Sequence, residues 1–240
     1  MSQNSHKPPG DERPAPYRGP LTAEQAAVGI NVAIRNAVRL LADAKSLLEI
    51  RRYATATSLA ALAIEECGKR AIIEQILLAK SPQQRKQHWK EYTSHIEKNS
   101  MWLVPYLARR GAQRADDFGI LAYENAHRFM LEDFKQRGFY TGCRNGVNWS
   151  EPEKDVPPAL ANEIVATTDD ILRNIREVSS EQMTLLIDYL APVWTEDPER
   201  ADHDAVRIAM KDYIAECQRR GYIPDRGIDL DEFFAASAGS

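Results

Sequence analysis

Apolar residues along this chain fall at helical rather than strand spacing, and the first long run opens behind a capping signal. Thr22, with Gln25 three places on, has the spacing of a capping box. Ile30, Ile34, Ala37, Leu41, Ala44 and Leu48 then alternate at three- and four-residue steps, which predicts a helix with one apolar face. Glu49–Arg52 is a short connection to a second run, Tyr53–Leu78, so the two segments are expected to form an antiparallel hairpin. That second run is apolar almost all the way round a helix and predicts a buried central helix. Its alanines keep it thin, and Gly68 uncovers its backbone for close approach.

Further helices follow. Ser81-Pro82-Gln83-Gln84 is a strong start signal, with Ser at the N-cap and Pro at the first helical position. It leads into a polar, basic stretch with Arg85, Lys86, His88 and Lys90, anchored by Trp89 and Tyr92. A helix is predicted over Ala115–Lys135, ending in Arg137-Gly138-Phe139-Tyr140, a stop pattern echoed at Arg220-Gly221-Tyr222. Thr141–Pro158 is the one long irregular stretch, and a loop of that length inside a domain is more often functional than not. Helical patterns resume over Pro158–Val178, Ser180–Val193 and Pro198–Arg219. No strand alternation stands out. The expectation is an all-α bundle with one long ordered loop and additional C-terminal helices. Residues 1–21 are expected as a disordered tail, 22–220 as the helical domain and 221–240 as a second tail.

Composition narrows the function classes. The 240 residues carry a net charge of −4, which excludes an overall basic coat for nucleic acid but leaves room for a local basic patch. Three dispersed cysteines without a Cys-x-x-Cys pair suggest neither a zinc site of that type nor a disulfide framework, and fit a reducing cytoplasm. The N-terminus has no apolar core for a signal peptide, and no run approaches the roughly 20 apolar residues that span a bilayer. Phosphate-loop, dinucleotide-binding, nucleophile-elbow and His-Glu-x-x-His motifs are lacking.

Three constellations remain as candidate chemistry. The first joins Glu65, Glu66 and Lys69, charges at the centre of a core helix, with His95 and Lys98 on the next one. Glu65 stands one turn before Lys69, the favourable order for an ion pair. A histidine beside cations is a general acid or base near neutral pH, and a lysine stabilises phosphate charge, as metal-free RNA cleavage requires. The alternative is a buried structural ion pair plus a solvated His–Lys pair. The second is Glu124-x-x-His127, the spacing of a di-iron bundle, of which only one copy is present. The third is the loop around Arg144, Asn145, Asn148 and Trp149, with Arg137 and Tyr140 before it as further partner or RNA contacts, either a base- or peptide-binding surface or a connector pinned by Trp149.

Arg52-Tyr53-x-x-Ala56-x-x-Leu59, Ala63-Ile64-Glu65-Glu66-x-Gly68-Lys69 and the following His95-x-x-Lys98 resemble the AbiV family of abortive-infection proteins. Gly138-Phe139-Tyr140 and Trp149-x-x-Pro152 are similar to that family's aromatic-and-proline loop. The resemblance implies a HEPN-type helical fold and a bacterial phage-defence effector that shuts down host metabolism or translation. It also implies a homodimer, an RNA or ribosome-associated target and a phage protein as activator, with no cofactor, metal or membrane. Many HEPN proteins are metal-independent endoribonucleases built on an Arg–His motif. Here no Arg stands four to six residues before any of the five histidines, so His95 with Lys98 and Glu65 would carry the catalysis, on a scaffold of Glu66 and Lys69. The rival is a non-enzymatic protein that blocks translation or a phage or host partner by contact.

Overall fold

The computed structural model describes residues 15–94, 124–144, 147–173, 175–195 and 202–224, with 124–130, 144 and 203 described by backbone alone. Helix α1 (Ala23–Glu49) begins as its sequence dictates: Thr22 Oγ1 accepts from the Gln25 amide, and Gln25 Oε1 accepts from the Thr22 amide. Ile30, Ile34, Ala37, Leu41 and Ala44 form its buried face. The helix ends in a Schellman motif, with the Arg52 amide bonded to the Leu47 carbonyl and the Arg51 amide to that of Leu48. Arg51 occupies the left-handed position at φ 62°, where glycine is the usual choice.

Helix α2 (Tyr53–Leu78) turns back along α1 and is buried on most of its surface, as its unbroken apolar pattern implied. Ala56, Ala60 and Ala63 pack against Ala37, Leu41 and Ala44 of α1, so small side chains on both helices bring the backbones together. Helix α3 (Pro82–Thr93) starts with the expected capping box of Ser81 and Gln84. It stops at Thr93, where Ser94 is extended, so it does not run on to His95 and Lys98 as the sequence pattern predicts.

Helix α4 (Glu124–Phe139) differs at its end from the sequence expectation. Gly138 lies inside the helix rather than beyond a stop. A Cβ there would run into Ser58 Oγ and the Ala54 carbonyl of α2. Close passage of two backbones, and not helix termination, is what requires glycine at this position. Ser58 Oγ seals the crossing by donating to the Lys135 carbonyl at 3.0 Å. The echo at Gly221 is a true stop: its φ is 75°, and the Gly221 and Tyr222 amides bond back to Gln218 and Cys217.

The stretch expected as irregular contains a small antiparallel hairpin, β1 (Cys143–Arg144) with β2 (Asn148–Trp149), closed by bonds between Gly142 and Ser150. One turn of helix, α5 (Pro152–Asp155), follows. Helix α6 (Pro158–Leu172) is shorter than its apolar pattern suggested. Near Val178 the chain is instead claimed by α1: the Asn31 amide group donates to the Val178 carbonyl at 2.9 Å and accepts from its N–H at 2.8 Å. Ser179 then caps α7 (Ser180–Leu190), and Asp202 caps α8 (His203–Arg219). These last two helices pack with the N-terminal half of α1 around Met183, Leu186, Leu190 and Cys217.

Two glycine substitutions separate close approach from backbone strain. Gly221→Ala meets no neighbour and is expected to cost about 1–2 kcal/mol for its left-handed conformation alone. Gly138→Ala gains helix propensity of about 1 kcal/mol yet is expected to lose more, because a backbone carbonyl must give way. Denaturant unfolding of both variants should rank Gly138→Ala as the more destabilised.

Candidate functional site

The charged centre of α2 resolves into two separate pairs. Glu65 faces α4, where its Oε1 accepts from Lys135 Nζ at 2.8 Å, and the same ammonium reaches Glu132 Oε2 at 2.5 Å. Glu65 is 2% exposed and Lys135 6%. Burial alone would lower the Lys135 pKa, but the hydrogen bonds it donates to Glu132 and Glu65, together with their charges, hold it above the ordinary lysine value. Sequence reasoning missed Lys135. Its signal was there: on a helix it shares a stripe with Leu131 and Gly138, a cation where an apolar residue is expected.

Glu66 and Lys69 form the second pair, at 2.6 Å and half-buried. Lys69 therefore pairs with Glu66 and not, as the carboxylate-first order suggested, with Glu65. The two-charge stripe lies on the α3 side, since Lys69 Nζ also sits over the Tyr92 ring at 5.3 Å from its centroid. Tyr92 stands at the end of α3, three residues before His95. His95 and Lys98 themselves lie outside the described residues. The histidine within α3, His88, is buried, and its Nδ1 lies 2.7 Å from Glu91 Oε2. The sequence reading had placed it in a polar, basic run.

Glu124 and His127 fall in the part of α4 described by backbone alone. Among the described residues no group of three or more His, Cys, Asp or Glu converges as a metal site. Nor is any described helix long and apolar enough to cross a membrane.

The hairpin loop presents its aromatics to water. Trp149 is 72% exposed and Tyr140 59%, and Val147 and Asn148 are also exposed. Trp149 thus does not pin the loop, and the Gly142–Ser150 bonds hold it instead. Arg137 pairs with Asp133 at 2.6 Å, one turn back on α4. The Arg144 side chain lies outside the described residues.

The AbiV family model, of the HEPN group, matches residues 25–173, which is more than half of the chain. The chain belongs to the AbiV family. The match runs from the first turn of α1 to the end of α6, so both charged pairs of α2, the α4 crossing and the hairpin lie within it, while α7 and α8 follow it. No curated protein and no solved structure matches the chain.

The two pairs should respond differently to mutation. Lys135→Met leaves two carboxylates facing each other without their cation and is expected to cost about 3–5 kcal/mol. Glu66→Gln, at a half-buried pair within one helix, is expected to cost about 1 kcal/mol or less. Because the folded-state pKa of Lys135 is raised, its contribution is complete below the ordinary lysine value of 10.5 and is lost as pH rises through the folded value. Urea titrations across the alkaline range should show a decline in wild type that is reduced in Lys135→Met.

Proposed function

We propose that the protein is a cytoplasmic abortive-infection effector that halts host metabolism during phage infection by cutting RNA without a metal ion. Membership of the AbiV family is the main support for the defence role. The observation that favours the chemistry is the Glu66–Lys69–Tyr92 contact, which ties the core of α2 to the end of α3 just ahead of His95. In this reading His95 is the general base and acid, taking the proton of a 2′-hydroxyl and returning one to the leaving oxygen. Lys98 stabilises the charge that develops on the phosphorane. Glu65, closed off with Lys135, acts as a positioning group that fixes α2 against α4, while Glu66 and Lys69 hold the approach to the site. A second copy of the chain and a phage-encoded trigger belong to the same reading.

A second reading is favoured by the exposed hairpin. Tyr140, Val147 and Trp149 stand in solvent on a closed, hydrogen-bonded turn, the kind of aromatic surface that binds a partner by contact. Such a protein would arrest translation without cleaving anything.

One experiment separates the two. His95→Ala is expected to lower RNA cleavage by the purified protein by about two to four orders of magnitude and to abolish phage protection. Undiminished protection, with RNA turnover equal to wild type, would remove His95 from catalysis. If protection then disappears in Trp149→Ala, the contact reading takes its place.

A further inference from the structure

The outer face of α3 carries a cationic groove that none of the chemistry above uses. It is an open depression of about 540 Å³ lined by Arg18, Gln83, Lys86, Gln87, Lys90 and Thr93. Three cations and no carboxylate line it, in a chain whose net charge is −4. Among the described residues neither Lys86 nor Lys90 is paired with an acid. The nearest carboxylate along the helix, Glu91, is held by Gln87 Nε2 at 2.8 Å and by His88 Nδ1 at 2.7 Å.

The third cation comes from outside the helix. Residues Tyr17–Gly19 lie across α3 and are fixed to Trp89: Tyr17 meets its ring edge-on, the indole N–H donates to the Gly19 carbonyl at 3.0 Å, and Arg18 Nη1 donates to the Trp89 carbonyl at 2.6 Å. A segment whose composition reads as loose tail therefore supplies a wall of the groove. Lys86 and Lys90 are one turn apart on the same helix face, a separation of about 5–6 Å at Cβ. That step suits successive phosphates of an extended strand.

We propose that this groove binds the phosphate backbone of single-stranded RNA along α3. The proposal rests on the RNA-cleavage reading above and names the subsite that reading lacks. Charge complementarity selects a polyanion, because three cations line the groove, two of them lysines with no acidic partner among the described residues, in a chain that is net acidic. Side-chain amides of Gln83 and Gln87 and the Thr93 hydroxyl offer both donors and acceptors, which is what a 2′-hydroxyl can use. Trp89 is committed to Gly19 and Arg18, so the groove has no free stacking platform and should read backbone without base preference.

The test is fluorescence anisotropy of the full chain with a short labelled single-stranded RNA and with DNA of the same sequence, over a range of salt. Wild type is expected to bind RNA more tightly than DNA. Lys86→Gln/Lys90→Gln should weaken RNA binding about tenfold or more and flatten the slope of log affinity against log salt by about 1.4, since each single-strand phosphate contact contributes about 0.7. Lys154→Gln, an exposed and remote lysine, should change neither; circular dichroism checks that all variants are folded. Affinity and slope unchanged in the double variant, equal affinity for RNA and DNA, or an equal loss in Lys154→Gln would each overturn the proposal. The two readings fail separately. Lost binding in the double variant, with protection intact in His95→Ala, ends the cleavage reading and keeps the groove. Unchanged binding, with cleavage lost in His95→Ala, does the reverse.

Discussion

Glu65 and Lys135 meet at 2.8 Å in a layer where water reaches neither. Each charge left alone there would cost several kcal/mol, so each helix requires the other in one register. Seven and eleven residues toward the N-terminus of α2, at Ser58 and Ala54, the same two helices touch again at Gly138, three residues toward the C-terminus of α4. The ion pair can form only because glycine lets the backbones approach. The close approach is in turn held in register by the ion pair and by the Ser58–Lys135 hydrogen bond. The contacts of α2 at its alanines with α1, and those of Ala61 and Ile64 with Leu131 and Ile171, are apolar and non-directional. Apolar contact compacts the bundle; the buried pair fixes its register.

The position of the other charged pair follows from that constraint. With Glu65 turned to α4, helix geometry swings Glu66 and Lys69 toward α3, where Lys69 covers Tyr92. Of the two charged pairs of α2, one is sealed against α4 and the other is half-buried against Tyr92 of α3. The cationic groove lies on that same helix, on its outer face. α3 is therefore the element on which an inner contact with the core and an outer cationic surface meet, and in the sequence it comes directly before the histidine proposed for catalysis.

Much of this was legible in the sequence. The capping boxes at Thr22 and Ser81, the hairpin of α1 and α2, the burial of α2 and the stop at Gly221 follow from local patterns, and α1 and α2 formed where those patterns said. The failures were at contacts between distant residues. Gly138 carries the same local pattern as Gly221, Arg-Gly followed by an aromatic, yet one packs against a helix and the other ends one. The long apolar pattern after Pro158 gave no hint that Asn31, 147 residues away from Val178, would take the backbone out of the helix. Tyr17–Gly19 look like tail because their composition is tail-like, and only Trp89 makes them part of a wall.

By itself, then, the sequence determined the helices, the buried centre and the charges placed within it, because periodicity, capping and propensity act over a few residues. The tertiary structure decided which charge answers which. Lys69 was the near partner for Glu65 in sequence, but Lys135, 70 residues on, reaches the buried carboxylate while Lys69 finds Glu66. A buried carboxylate takes whichever cation the packing brings into the dry layer, and no local pattern states where two helices cross.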